Sequence, residues 1–211
     1  MKKLLVVGAI LLTVFVLAYL VFSVEPKETQ KIDSAFTGYV SGFTSGIISK
    51  ESEIVIHLRE EVALEKQTEE IAADLFDFDP NIEGEVYWKD KKTVAFKTVE
   101  YLTSGMIYDA EFDLSKLVEV PKDLEVLKFQ FQTIKQAIDV YFDGIEAYDD
   151  LDLKWQKVKG SISTADVASE TEIEELFSAT QKNNDLKLQW VHTNNKEHTF
   201  IVDSIVRKED K

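Results

Sequence analysis

The stretch Glu85-Val-Tyr-Trp-Lys-Asp-Lys-Lys-Thr-Val-Ala-Phe-Lys97 decides the fold. Its two ends hold aromatic and β-branched residues, and the charged Asp90-Lys91-Lys92 between them predicts the turn of a hairpin. Alternate side chains of a strand point to opposite faces, so Trp88, Val94 and Phe96 are predicted to lie in a core.

Further strands follow this pattern at short intervals. Apolar residues alternate with others from Ile54 to Leu58, from Tyr108 to Phe112 and from Leu127 to Thr133. Residues 61–77 sustain no helical face and are predicted to be mostly loop with a short strand. Strands separated by turns about every ten residues are typical of sandwich-type β domains and not of a βαβ fold.

A second group of strands begins near residue 135. Apolar residues alternate from Ile138 to Phe142, ahead of a predicted turn at Asp143-Gly144. The chain ends in a predicted hairpin whose arms are residues 186–192 and 198–206. Only about four strands are predicted after residue 135, fewer than the seven or so of an immunoglobulin-like sandwich.

One short helix is predicted within this second group. Ser169-Glu-Thr-Glu172 has the spacing of a capping box, and Ile173, Leu176 and Phe177 would then share one helical face from Glu170 to Ala179. The sequence therefore predicts a mostly β protein with two immunoglobulin-like β-sandwich domains. They would comprise residues 32–134 and 135–211, and the second would be incomplete.

The amino-terminal segment has the pattern of a membrane helix. Leu4 to Val24 is a run of 21 residues without a charge, preceded by Lys2 and Lys3 and followed by Glu25. About 20 apolar residues span a bilayer, and positive charge ahead of the span places the remainder outside. We predict a signal-anchor helix at 1–24 and a linker at 25–31, facing the periplasm from the inner membrane. Cleavage as a signal peptide, with release to the periplasm, is the alternative.

The charge of the exported part excludes one class of partner. Subtracting Lys2 and Lys3 leaves 22 basic against 39 acidic side chains after residue 24, a net charge of −17. Such a surface repels nucleic acid and anionic lipid. The absence of cysteine excludes disulfides, thiolate metal sites and cysteine nucleophiles.

Motifs that carry chemistry are missing. The sequence contains no glycine-rich phosphate loop, no Gly-x-Ser-x-Gly elbow and no His-Glu-x-x-His motif. His192 and His198 would face each other across the terminal hairpin, but a zinc site needs a third protein ligand. We assign no catalytic, cofactor-binding or metal-ligating residue and predict that the chain is not an enzyme.

Two groups of carboxylates are candidate sites. Asp109, Glu111 and Asp113 are spaced by two and are predicted to form the solvated face of a strand. A loop from Asp143 to Asp152 is rich enough in carboxylates to hold calcium, yet it lacks the spacing of an EF-hand. A solvated loop is the default interpretation, and an enzyme built on Asp149, Asp150 or Asp152 would require a deep pocket there.

Several stretches resemble the N-terminal region of bacterial alpha-2-macroglobulin-like proteins. The first is Ser34-Ala-Phe-Thr-Gly-Tyr-Val-Ser-Gly-Phe-Thr-Ser-Gly-Ile-Ile-Ser-Lys50, which leads into Glu53-Ile-Val-Ile-His-Leu58. The others are Val86-Tyr-Trp-Lys-Asp-Lys-Lys-Thr-Val-Ala-Phe-Lys97, Tyr108-Asp-Ala-Glu-Phe112, Phe129-Gln-Phe-Gln-Thr133, Glu146-Ala-Tyr-Asp-Asp150 and Thr164-Ala-Asp-Val167.

The resemblance covers roughly residues 30 to 208 and implies a part of an envelope protein that traps proteases. The thioester of that family needs a cysteine, which this chain lacks, so no functional residue is carried over. The resemblance implies a truncated N-terminal portion that acts as anchor and spacer, with the membrane, downstream macroglobulin-type domains or target proteases as partners. A free-standing adhesion or glycan-binding module, using Tyr87, Tyr101 or Tyr148, is the alternative, as is a functionless remnant.

Overall fold

The computed structural model describes residues 32–149, 151 and 153–207, without the side chain of Ala73. The predicted leader, Leu4 to Val24, lies outside these residues. In the described part, no helix is both long and apolar enough to cross a membrane. The described residues belong to one compact unit that begins at Ile32.

The first part of the chain forms eight strands and a short helix. The strands are β1 (Val40–Phe43), β2 (Gly46–Ile48), β3 (Ile54–Leu58), β4 (Phe76–Asp79), β5 (Gly84–Trp88), β6 (Thr93–Thr98), β7 (Ile107–Asp113) and β8 (Val126–Thr133), and the helix is α1 (Glu69–Ala73). Single 3₁₀ turns lie at Ser34–Gly38, Leu64–Lys66, Leu114–Lys116 and Lys122–Leu124.

These strands form two four-stranded sheets, ordered β1-β3-β6-β5 and β2-β8-β7-β4. Neighbouring strands are antiparallel, except that β2 runs parallel to β8. Aromatic contacts join the sheets: the ring centroids of Phe78 on β4 and Phe96 on β6 lie 4.7 Å apart. Apolar side chains of both sheets form one cluster, here called the first core. The predicted sandwich arrangement is therefore present in this part of the chain.

The predicted hairpin and alternation are found here. β5 pairs with β6 around the charged turn, and Val94 and Phe96 are buried while Trp88 is half-buried. The prediction for residues 61–77 was wrong in part, because α1 begins there. Thr68 starts the helix by accepting a hydrogen bond from the Ile71 N–H, a cap that satisfies an otherwise unpaired backbone donor.

The second part contains a single four-stranded sheet with a helix packed on it. The elements are β9 (Ile138–Ala147), β10 (Trp155–Thr164), α2 (Glu170–Leu176), the two-stranded ribbon β11 (Thr180–Gln181) and β12 (Asn184–Asp185), β13 (Leu188–His192) and β14 (Glu197–Val206). The sheet order is β13-β14-β10-β9, and all its pairs are antiparallel. Ile162, Ala168, Ile173 and Phe200 form its core, here called the second core.

Two predictions for this part need correction. The expected turn at Asp143-Gly144 is instead an irregularity inside β9, where the pairing with β10 shifts register and Gly144 has a φ of 142°. The capping box is present, but α2 ends at Leu176, and the Leu176 side chain is 62% exposed. The first core draws on residues before 135 and the second on residues after it, while the division into two domains stays a prediction.

Candidate functional site

A buried carboxylate connects the two cores. Asp166 follows β10 and is fully buried. Its oxygens accept hydrogen bonds from the Ser49 hydroxyl at 2.6 Å and the Lys50 N–H at 2.7 Å, both from the segment after β2. The Val167 N–H also donates to it, at 2.9 Å. We call Ser49, Lys50, Ser104, Gln136 and Asp166 the junction.

The remaining junction residues pair the backbone on both sides of Asp166. The Gln136 side-chain amide donates to the Asp166 carbonyl at 3.0 Å and accepts from the Asp166 N–H at 2.9 Å. The Gln136 N–H donates to the Ser104 hydroxyl, which donates to the Ile134 carbonyl. The segment between β8 and β9 is therefore fixed on both sides.

Lys50 adds a second charged link at the junction. Its side chain is buried except for a small fraction, and its Nζ lies 3.5 Å from a Glu172 carboxylate oxygen in α2. The same Nζ lies 5.1 Å from the centroid of the Tyr101 ring. Glu172 also closes the capping box with Ser169, and that backbone hydrogen bond is the main reason that its pKa is lowered.

The pKa of Asp166 reflects two opposing effects. Burial raises it, because a charged carboxylate loses its hydration. Hydrogen bonds from Ser49, Lys50 and Val167, together with the positive charge of Lys196 at 3.8 Å, outweigh that cost and leave the pKa below its ordinary value. Asp166 is thus a structural anion that holds its partners in place.

The structure brings the predicted histidine pair together. His192 and His198 are opposite each other on β13 and β14, with their Nδ1 atoms 2.8 Å apart. Glu174 lies 3.2 Å from His192 Nε2, so neutral His192 donates to that carboxylate and accepts from His198. His198 Nε2 is then a buried nitrogen without a partner in the described part of the chain. Burial lowers the pKa of His198, and so does repulsion from His192 when that ring is protonated.

The predicted carboxylate groups do not converge. Asp109, Glu111 and Asp113 share the outer face of β7, where Glu111 pairs with Lys128, as the spacing predicted. Asp143 and Glu146 lie in β9 instead of a loop, and Glu146 pairs with Lys157 and Lys159 on β10. Asp150 and Asp152 lie outside the described residues. Within residues 32–149, 151 and 153–207, no three acidic, His or Cys side chains are grouped to hold a metal ion.

A shallow groove lies beside Tyr101. It has a volume of about 550 Å³ and is lined by Glu51 to Glu53 and by Lys97 to Tyr101. Tyr87 donates to Glu53 at 2.6 Å, and Lys89 pairs with the same carboxylate. Tyr148 lies elsewhere, with its hydroxyl on Asp203 and its ring under Lys157. The three tyrosines proposed for a ligand surface therefore do not form one site.

No protein-family model and no curated protein sequence matches this chain. Among solved structures, it is similar to L,D-transpeptidase 3 from Mycobacterium tuberculosis, with a TM-score of 0.36, 8% identity, and coverage of 74% of this chain and 58% of that chain. An L,D-transpeptidase from M. tuberculosis H37Rv matches with a TM-score of 0.36, 9% identity and coverage of 74% and 59%. The chain thus spans less than two thirds of either structure.

The prediction that the chain is not an enzyme is withdrawn, since the two similar structures are L,D-transpeptidases. At a TM-score of 0.36, the likeness assigns no reaction and no catalytic residue to this chain. The junction is a buried polar cluster joined by hydrogen bonds, and its residues carried no predicted role. Ser49, Lys50 and Asp166 lie in stretches quoted for the family resemblance, but neither stretch has a pattern that predicts their contact.

Proposed function

We propose that this chain is the membrane-tethered N-terminal portion of a macroglobulin-like protease inhibitor, in which it serves as anchor and spacer. Residues 32–134 and 135–211 would be two immunoglobulin-like modules outside the membrane, the second of them incomplete, and Leu4 to Val24 would hold them to it. Downstream macroglobulin-type domains, and through them target proteases, are the partners this function requires.

The observation that supports a spacer is the junction. A spacer must keep a fixed length and orientation, and two cores joined by a flexible linker would not do so. Asp166 instead exchanges hydrogen bonds with the segment after β2 and with Gln136, and Lys50 pairs with α2. Buried, satisfied polar contacts of this kind allow few alternative arrangements.

Fractionation of the full chain tests the anchor. The chain carrying a C-terminal tag is expressed in bacteria and extracted with alkaline carbonate, and spheroplasts are treated with protease. We expect the tag to remain in the membrane pellet and to be digested from outside. A matched chain without Leu4 to Val24 should be soluble. Recovery of the full chain in the soluble cytoplasmic fraction would contradict the proposal.

The groove beside Tyr101 supports a second candidate function, glycan binding. Tyr101 is half exposed, and carboxylates and Lys97 at the rim offer hydrogen bonds to sugar hydroxyls. Titration with soluble peptidoglycan fragments should then shift NMR signals of residues 97–101, and Tyr101→Ala should abolish the shifts. Absence of any shift at millimolar fragment would remove this candidate.

A further inference from the structure

The outer strand of the second sheet is unusually long and open. β9 comprises ten residues and lies at one end of the order β13-β14-β10-β9, so its outer edge pairs with no strand that the structure describes. The edge strands β1, β2, β4, β5 and β13 are each five residues or fewer. Natural proteins shorten or charge such edges because unpaired backbone groups accept further strands.

One face of β9 is apolar and only partly covered. Val140 is opposite Ile162, and Phe142 is opposite Gly160, so their side chains lie on the face that carries the second core. The Phe142 ring centroid lies 5.9 Å from that of Phe200, yet the Phe142 side chain is 71% exposed. Helix α2 and Phe177 pack on the part of this face that carries Phe200 and Trp190, and the part formed by β9 stays exposed.

The irregularity in β9 extends this face. Lys159 is opposite Gly144 and Val158 is opposite Ile145, so the extra residue shifts the alternation by one. Ile145 therefore joins the face of Phe142, and its side chain is 67% exposed. The result is a continuous apolar row: Ile138, Val140, Phe142 and Ile145.

The charge of β9 selects among possible occupants. The strand contains Asp139, Asp143 and Glu146 and no Lys or Arg. Glu146 is neutralised by Lys157 and Lys159, whereas no ion pair to Asp139 or Asp143 occurs among the described residues. A second copy of β9 would place carboxylates beside carboxylates, which is unfavourable across a strand pair. A partner strand that alternates apolar and basic residues would place its apolar side chains beside the apolar row and its basic side chains beside Asp139 and Asp143.

We propose that β9 is a docking edge that accepts an added β-strand from a protein partner, with aliphatic residues on one face and Lys or Arg on the other. The backbone edge supplies hydrogen bonds, the apolar row supplies contact area, and Asp139 and Asp143 supply charge selection. This inference does not depend on the proposed spacer function, because any extracellular or envelope module could use the edge.

Peptide binding to the full chain in detergent tests this assignment. The probe is a fluorescent peptide of alternating Val and Lys, about nine residues long to match a strand, and the control peptide has Glu in place of each Lys. We expect saturable binding of the Lys peptide, slowed amide exchange confined to residues 138–147, and at least tenfold weaker binding of the Glu peptide.

Matched variants locate the binding surface. Ile145→Lys should weaken binding of the Lys peptide at least tenfold, whereas Val99→Lys, at a comparably exposed apolar position on the other part of the chain, should leave it unchanged. No binding by the unsubstituted chain, equal binding of both peptides, or protection outside β9 would overturn the proposal. So would a dimer of the free chain that Ile145→Lys dissociates, because the occupant would then be a second copy.

Discussion

A single carboxylate at the junction carries a large share of the polar contacts between the two parts of the chain. Asp166→Asn keeps the shape of the side chain, but it removes the charge and replaces one accepting oxygen with an NH2 donor that would face the Ser49 hydroxyl or the Lys50 N–H. We expect the free energy of unfolding to fall by about 2 kcal/mol or more, since buried donors lose a charged partner. Chemical denaturation measures this free energy. The control variant Asp123→Asn, at an exposed site, should leave it almost unchanged.

The same residue predicts an acid-dependent stability difference. Because the folded pKa of Asp166 is lowered, its contribution is present above the unfolded pKa and is lost as the pH falls through the folded value. The gap between the unsubstituted chain and Asp166→Asn should therefore shrink below about pH 4. A gap that stays constant down to pH 2 would contradict this account of the carboxylate.

His198 predicts a second pH dependence, in a higher range. Its folded pKa is lowered, so the unfolded chain takes up the proton first and stability falls as the pH drops below about 6.5. The loss should level off once the pH passes the folded value. His198→Gln should remove this slope, and His57→Gln at an exposed site should keep it. Denaturation midpoints measured between pH 7.5 and 5 decide the matter.

In the second sheet, the neighbouring strands closely surround Gly160 on β10. A Cβ at Gly160 would meet the Phe200 ring and the Tyr141 carbonyl of the two flanking strands. Gly160→Ala should therefore cost about 1–3 kcal/mol through overpacking. Gly38→Ala, where a Cβ meets nothing, is the matched control. Equal thermal midpoints for the two variants would show that the Gly160 position is not tightly packed.

The strands were predictable because alternation survives in the sequence. Ile54, Ile56, Phe112, Phe129 and Phe131 are all fully or almost fully buried, as their spacing indicates. Shorter elements were not predictable from the sequence. Helix α1 is only about a turn and a half long, which is too short to show a helical pattern, and its start depends on one cap. Asp143-Gly144 has the composition of a turn, yet these residues lie inside β9, where the pairing with β10 shifts register. Such an irregularity depends on the partner strand, so the local sequence does not predict it.

On the scale of the whole molecule, the sequence could not reveal the junction. Asp166 contacts Ser49 and Lys50 across 117 and 116 positions, and no local pattern in either stretch predicts that contact. The histidine pair was predictable because a hairpin loop places its members locally, and Glu174 was not, because α2 comes from outside that hairpin. Local sequence pattern thus predicts strands and hairpins, whereas contacts between distant segments can be identified only from the folded structure.

One distance tests most directly whether the chain is a spacer whose two cores are held rigidly by the junction. The chain has no cysteine, so spin labels at Val99→Cys and Val191→Cys, both exposed positions, report on the two parts without background. Pulsed electron resonance should give one narrow distance distribution, and adding Asp166→Asn should broaden it. A broad or multimodal distribution in the chain that retains Asp166 would contradict the account.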